Sequence, residues 1–393
     1  MLSWISSALT VLLLGAAASL PAVPVQGDKP RTHTTTHARA RAMTQPEART
    51  PEGVLASMTL GQRVGELLMV GTPTEGASAE ARAAIGHYHV GGVILMGNSA
   101  KGRRSVSATT AALQRRATAA ATAGTGLLIA TDQEGGQVQR LTGPGFSSMP
   151  TALSQGSWSV PTLQTRARGW AGELRAAGIN LDLAPVADTV PARDAGANLP
   201  IGHWQRELGH RPAQVAGHAA AIVRGMRAAG VATAAKHFPG LGRVRGNTDF
   251  AATVVDRVTR RHDPYLRPFA ATVRAGVPFM MMSLATYPRL DKTAPAAFSH
   301  RIVQRMLRRG LGFDGVVVSD SLTAVAAQRY PAGQRAVRFV RAGGDLALVP
   351  EVAPIATMYA ALLATARRDP AFRTRVDDAA LHVLRAKQAL GLL

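Results

Sequence analysis

The chain has 393 residues, 46% of them hydrophobic, no cysteine, and a formal net charge of +21. That size and composition exclude a disordered chain, and the missing cysteine excludes a disulfide framework and thiolate metal sites. The charge does not point to nucleic acid: 40 of the 45 basic residues are Arg, scattered rather than clustered with aromatics, so the expectation is no nucleic-acid partner and only weak attraction to an anionic wall polymer.

Residues 1–26 read as a signal peptide or an N-terminal anchor. The apolar run over residues 8–20 is shorter than the ~20 residues a membrane span needs. Small residues at Ala16–Ala18 and Ala22 permit cleavage, although no Lys or Arg precedes the run. No Cys follows, which excludes a lipoprotein. A secreted or envelope-associated protein is expected, with membrane contact only through an uncleaved anchor. Residues 27–52, rich in Pro, Thr, Arg and Gln, read as a disordered linker. Within it His33–His37 reads as a solvated tail rather than a metal tract.

From residue 53 to 393 short apolar runs alternate with helical patterns. The runs are Leu67–Gly71, Gly92–Met96, Gly126–Thr131, Leu181–Val186, Val231–Ala235, Pro278–Ser283, Gly315–Ser319 and Asp345–Val349. Each is nearly continuous in apolar residues, as parallel strands buried on both faces require. Helical spacing fills Ser107–Ala123, Leu163–Ala177, Pro212–Ala229 and Ser299–Gly310, the last with Ser299 as N-cap and Gly310 as its end. A final helical stretch runs from about Pro354 to Leu390. Eight such units predict a single α/β domain folded as a (β/α)8 TIM barrel rather than a doubly wound sheet.

The placement of polar residues supports the barrel. Asp132, Asp188, Lys236–His237 and Asp320 all fall at or just after strand ends, which converge on one face of a barrel. No dinucleotide or Walker sequence follows any strand, so no nucleotide cofactor is indicated. Asp132, in Asp-Gln-Glu-Gly-Gly-Gln-Val-Gln-Arg140, can bind two vicinal hydroxyls, with Arg140 supplying forked donors. The same pair could instead brace a loop. Lys236 and His237, in Lys-His-Phe-Pro-Gly, suit substrate hydroxyls, because an ammonium at a buried strand end needs an anionic partner or a ligand. A Lys pairing with a neighbouring strand-end carboxylate is the structural alternative. Asp320, in Gly-Val-Val-Val-Ser-Asp, is open to attack a substrate carbon as a retaining glycosidase requires, or else caps the following helix.

These motifs, with Gly-Gly-Val-Ile-Leu-Met and Asn-Leu-Asp-Leu-Ala-Pro-Val-Ala-Asp, come in an order that resembles glycoside hydrolase family 3. The resemblance runs from Gly65 to Pro350 and is to its single-domain bacterial β-N-acetylglucosaminidases. It implies a retaining mechanism, no cofactor and no metal. It implies Asp320 as nucleophile, and Asp132, Arg140, Lys236 and His237 as sugar ligands. Arg206, in Leu-Pro-Ile-Gly-His-Trp-Gln-Arg, falls near a further substrate-binding arginine of the family.

The sequence departs from the family where its closest members carry an Asp-Ser-His element, whose His is the acid/base supported by the Asp. Here the loop reads Asn247-Thr248-Asp249. Three readings follow: Asp249 is the acid/base with its pKa raised by Asp320, the acid comes from a loop His such as His203, or the protein binds glycans with little turnover. The bland reading of the tripeptide is turn chemistry. The expected activity is that of an exo-β-N-acetylhexosaminidase acting on a β-linked amino-sugar glycan of cell-wall or chitin type, and a monomer is expected. A β-glucosidase or β-xylosidase, a glycan-binding protein and a phosphorylase are the alternatives.

Overall fold

The computed structural model describes residues 49–393. The expected signal or anchor and most of the expected linker lie outside the described residues. Residues 49–52, which sequence reading places in the linker, belong to the folded unit. Arg49 donates to the carbonyls of Ala123 and Gly124, and Thr50 caps the helix Pro51–Ser57.

Eight parallel strands form the sheet. They are β1 (Leu68–Pro73), β2 (Gly92–Met96), β3 (Leu128–Thr131), β4 (Leu181–Asp182), β5 (Ala232–Phe238), β6 (Phe279–Met282), β7 (Val316–Ser319) and β8 (Ala347–Val349). Each pairs with its neighbour in chain order, and β1 pairs with β8. The remaining seam, between β7 and β8, is joined by a Val318–Leu346 bridge and by the Leu346 N–H donating to Val317 O at 3.0 Å. The expected eight-stranded barrel is therefore present, with all eight strands where the apolar runs lie.

Period-two alternation divides the apolar residues into two layers. Met69, Ile94, Leu128, Ala130, Phe279 and Met281 belong to a cluster that fills the barrel interior. Their neighbours Leu68, Val70, Val93, Ile129, Met280 and Met282 face the surrounding helices. Both faces are buried, which is why the strands read as continuous apolar runs.

The lower mouth is closed by the last helix, Pro370–Ala389, whose Val383 joins the interior cluster. Lys387 from that helix pairs with Glu66 at 2.6 Å, both fully buried. Beside β8, buried Asp345 accepts from Arg308, Arg375, His382 and the Val317 N–H. Burial would raise the pKa of Asp345, but these partners outweigh it and hold the carboxylate below its usual value. These polar groups sit at the N-terminal ends of the strands, where barrels carry stability rather than chemistry.

Three helix boundaries differ from the sequence expectation. The stretch 107–123 splits into Gly102–Gln114 and a single turn, Ala119–Thr122. After Ser299 the chain forms a π-helix, Arg301–Arg308, followed by Arg309–Leu311, and it ends at Gly312 rather than Gly310. Gly312 adopts φ +67°, the left-handed conformation that ends helices and that Gly reaches without strain. Ser299 keeps its capping role, its hydroxyl accepting from the Ile302 N–H at 3.2 Å. The C-terminal stretch is broken into Ile355–Arg368 and Pro370–Ala389, because Pro370 cannot continue a helix while Asp369 caps the next one.

Candidate active site

Strand alternation carries three functional candidates inward together. Leu128 and Ala130 are interior on β3, so Asp132 has the inward phase. Ala232 and Ala234 set the same phase for Lys236 on β5, and Val316 and Val318 set it for Asp320 after β7. The Lys236 ammonium lies 2.6 Å from Asp132 Oδ1 and 2.6 Å from Glu134 Oε1. Glu134 also receives Arg206 as a two-point fork, Nε to Oε2 and Nη2 to Oε1, both at 2.7 Å. Arg206 Nη1 donates to Pro200 O at 2.8 Å. One carboxylate thus holds two cations, Lys236 from β5 and Arg206 from the loop after β4.

The electrostatics follow from this packing. Burial alone would raise the pKa of Glu134, but Arg206 and Lys236 outweigh it and keep the carboxylate well below its usual range. Burial alone would lower Lys236 and Arg206, yet Asp132 and Glu134 raise the first and Glu134 raises the second. Both cations therefore stay charged inside the fold.

The backbone that presents Glu134 needs glycine. Gly135 has φ +103°, and a Cβ there would stand 2.3 Å from Pro150 O. A neighbouring backbone thus enforces glycine at this turn.

His237 is oriented by Asp188. The buried carboxylate accepts from His237 Nδ1 at 2.7 Å, from the His237 N–H at 3.2 Å and from the Leu241 N–H at 2.7 Å. That assigns the proton of the neutral ring to Nδ1 and leaves Nε2 without a partner among the described residues. Arg140 does not pair with Asp132. Its Nη1 donates to Asn98 Oδ1 at 3.1 Å, which removes the loop-bracing Asp–Arg pair. The alternative pairing of Lys236 with a strand-end carboxylate is realised, through Asp132.

Asp320 is half-buried, and its Oδ1 accepts from the Ser321 N–H at 2.8 Å. Asp249 belongs to the long loop after β5. Asn247 Oδ1 accepts from the Asp249 N–H at 2.9 Å, so the expected turn chemistry is present. Two further bonds tie this turn to the segment after Asp320: Ala326 N–H to Thr248 O at 3.0 Å and Val325 N–H to Asp249 O at 3.3 Å. The residue surface of Asp249 is exposed toward the mouth. Its carboxyl nevertheless loses enough hydration, beside the like charge of Asp320, to be pushed up to about 6. His203 is exposed, its ring edge-on to Trp204 with 5.2 Å between centroids.

Sequence reasoning assigned no role to Glu134, Asp182 or a direct partner of His237. The signal for Glu134 was present: two cations expected at one buried mouth need an anion, and Glu134 lies two residues beyond Asp132. Asp182, fully buried at the end of β4, accepts from the Gln133 N–H at 3.0 Å, and burial pushes its pKa well up. A carboxyl raised by folding costs stability as pH rises above its unfolded value. Asp182→Asn is therefore expected to keep or raise the melting temperature at neutral pH, relative to wild type, and to lose that advantage in acid. A melting temperature lowered at neutral pH but not in acid would show that an ionised Asp182 is needed. Among the described residues no group of His, Asp or Glu could hold a metal.

The family model for the glycosyl hydrolase family 3 N terminal domain matches residues 59–386. β-Hexosaminidase LpqI of Mycobacterium tuberculosis is 31% identical over 358 residues, covering 86% of this chain and 87% of that protein. A β-hexosaminidase of Stenotrophomonas maltophilia is 34% identical over 300 residues, covering 72% and 83%. The crystal structure of a β-N-acetylhexosaminidase from Beutenbergia cavernae aligns with TM-score 0.83 and 50% identity, covering 84% of this chain and 99% of that one.

Proposed function

Because this chain belongs to glycosyl hydrolase family 3, we propose that it is a retaining exo-β-N-acetylhexosaminidase with Asp320 as nucleophile and Asp249 as acid/base. The observation that carries this reading is the pair of mouth carboxyls on two loops stitched together by backbone bonds, one of them pushed up to about 6. The names of the relatives supply the N-acetyl sugar.

In the first step Asp320 attacks the anomeric carbon while protonated Asp249 gives its proton to the leaving oxygen. In the second, ionised Asp249 takes a proton from water, which displaces Asp320. Asp132, Lys236, His237 Nε2, Arg206 and Arg140 hold the terminal sugar. Export would place the activity on an extracytoplasmic cell-wall or chitin-type glycan.

The proposal is tested on an aryl β-N-acetylglucosaminide, the matching glucoside and an unactivated disaccharide. The N-acetyl substrate is expected to be preferred. Asp249→Ala should lower disaccharide turnover by about 10²–10⁴, and turnover of a good aryl leaving group much less, since it needs little protonation. Equal loss on both would remove Asp249 from the acid role. Binding without turnover would favour a glycan-binding protein, and a sugar phosphate formed with added phosphate would favour a phosphorylase.

Asp249 also sets a pH dependence. The acid must be protonated, so kcat/KM on the disaccharide should fall as pH rises through about 6. Asp249→Asn should abolish that descending limb. A limb that persists in this variant would assign it to another group.

A further inference from the structure

Large hydrophobic side chains are exposed at only five described positions: Met96, Leu199, Trp204, Phe250 and Val258. All five lie at the C-terminal ends of barrel strands or in the loops that follow them. Met96 ends β2, Leu199 and Trp204 follow β4, and Phe250 and Val258 follow β5. The flanks and the lower face of the barrel expose none among the described residues. Single exposed apolar residues need no explanation, but their confinement to one face of a folded domain marks a contact surface.

The two loops that carry most of them are joined. Asn198 Nδ2 donates to Leu241 O at 2.8 Å and to Val244 O at 2.7 Å, and the Leu199 N–H donates to Arg245 O at 3.2 Å. Phe250 is the most exposed of the five, at 82%, and it directly follows Asp249 in a turn held by the Phe250 N–H donating to Asn247 O at 3.2 Å.

We propose that Phe250, with Trp204 and Leu199 on the joined loop, forms the subsite for the leaving-group sugar. This rests on the reading of Asp249 as proton donor. A proton donor must lie within hydrogen-bond reach of the glycosidic oxygen, so the sugar on the far side of that oxygen must lie against the donor's own neighbours. A pyranose ring presents an apolar C–H face, and an exposed aromatic ring is a rigid platform for such a face at little entropic cost. The polar, ion-paired floor around Glu134 suits the hydroxyls of the terminal sugar, and the apolar rim suits the face of the next one.

Calorimetry in an Asp320→Asn background tests the subsite without turnover. N,N′-diacetylchitobiose is expected to bind about tenfold more tightly than N-acetylglucosamine. Phe250→Ala should erase that difference, and Phe250→Trp should preserve it. With Asp320 intact, Phe250→Ala should lower kcat/KM for the disaccharide about tenfold more than for N-acetylglucosaminyl fluoride, whose leaving group spans no subsite. Equal affinity for the two sugars, or a preference that survives Phe250→Ala, would overturn the proposal. So would liposome binding by the parent that disappears in Phe250→Ala, which would make the rim a lipid contact. Absence of fluoride turnover by the wild type would instead sink the glycosidase reading, and the calorimetric comparison would still decide the subsite.

Discussion

Replacing Asp320 by Ala is expected to lower kcat on an aryl β-N-acetylglucosaminide by a factor on the order of 10⁴–10⁶, with KM little changed. Strand alternation gives Asp320 the inward phase of Val316 and Val318, and the Ser321 N–H holds one of its oxygens at 2.8 Å. No other residue is proposed to form the bond to the anomeric carbon. Added azide makes the test specific. In Asp320→Ala the small anion would attack from the vacated side and yield the inverted α-glycosyl azide. In Asp249→Ala it would attack the glycosyl-enzyme from the opposite side and yield the β-azide. The anomer, read by NMR, therefore reports which carboxyl was removed. Formation of the β-azide by Asp320→Ala, or undiminished turnover, would place the nucleophile elsewhere.

Glu134→Gln should damage both stability and binding. The wild-type carboxylate neutralises Lys236 at 2.6 Å and Arg206 through two bonds at 2.7 Å, in a setting where Glu134 is 5% exposed. A neutral amide supplies no charge to balance the buried Lys236 and the partly buried Arg206. Breaking such an arrangement costs about 3–5 kcal/mol, a fall in melting temperature of roughly 5–10 °C for a domain of this size. KM for the N-acetyl substrate should rise as Lys236 and Arg206 lose their positions. The pH dependence has a definite sign. The folded state holds the pKa of Glu134 below its ordinary value of 4.5, so its contribution is fully present above that value and is lost as pH falls beneath it. The difference in melting temperature between wild type and variant should therefore be largest near neutral pH and shrink in acid. Calorimetric scans at several pH values measure this, and an unchanged melting temperature at pH 7 would show that the cations are balanced without Glu134.

Much of this architecture is legible from local pattern. Parallel strands buried on both faces must be apolar along their length, so Gly92–Met96 and the other runs are visible without any partner. Period two then carries the inward phase of three of these apolar runs one step past their ends, onto Asp132, Lys236 and Asp320. Helix ends are less legible, because Gly310 and Gly312 are both plausible stops. Only the packing of the chain back toward β7 decides which adopts positive φ.

Asp249 divides the two kinds of information most sharply. The sequence by itself determined a (β/α)8 barrel of glycosyl hydrolase family 3 type, the strand-end carboxylates, and the replacement of the family's Asp-Ser-His by Asn247-Thr248-Asp249. Hydrophobic periodicity and strand-end placement are properties of neighbouring residues, so a linear reading reaches them. The tertiary structure alone decided that Glu134 is the shared anion of Lys236 and Arg206, that Asp188 orients His237, and that the Asp249 turn is bonded to the segment after Asp320. Those outcomes depend on which loops meet across the mouth. Glu134 and Arg206 are 72 residues apart, and charge pairing and hydration are set by distances in space, which no local pattern encodes.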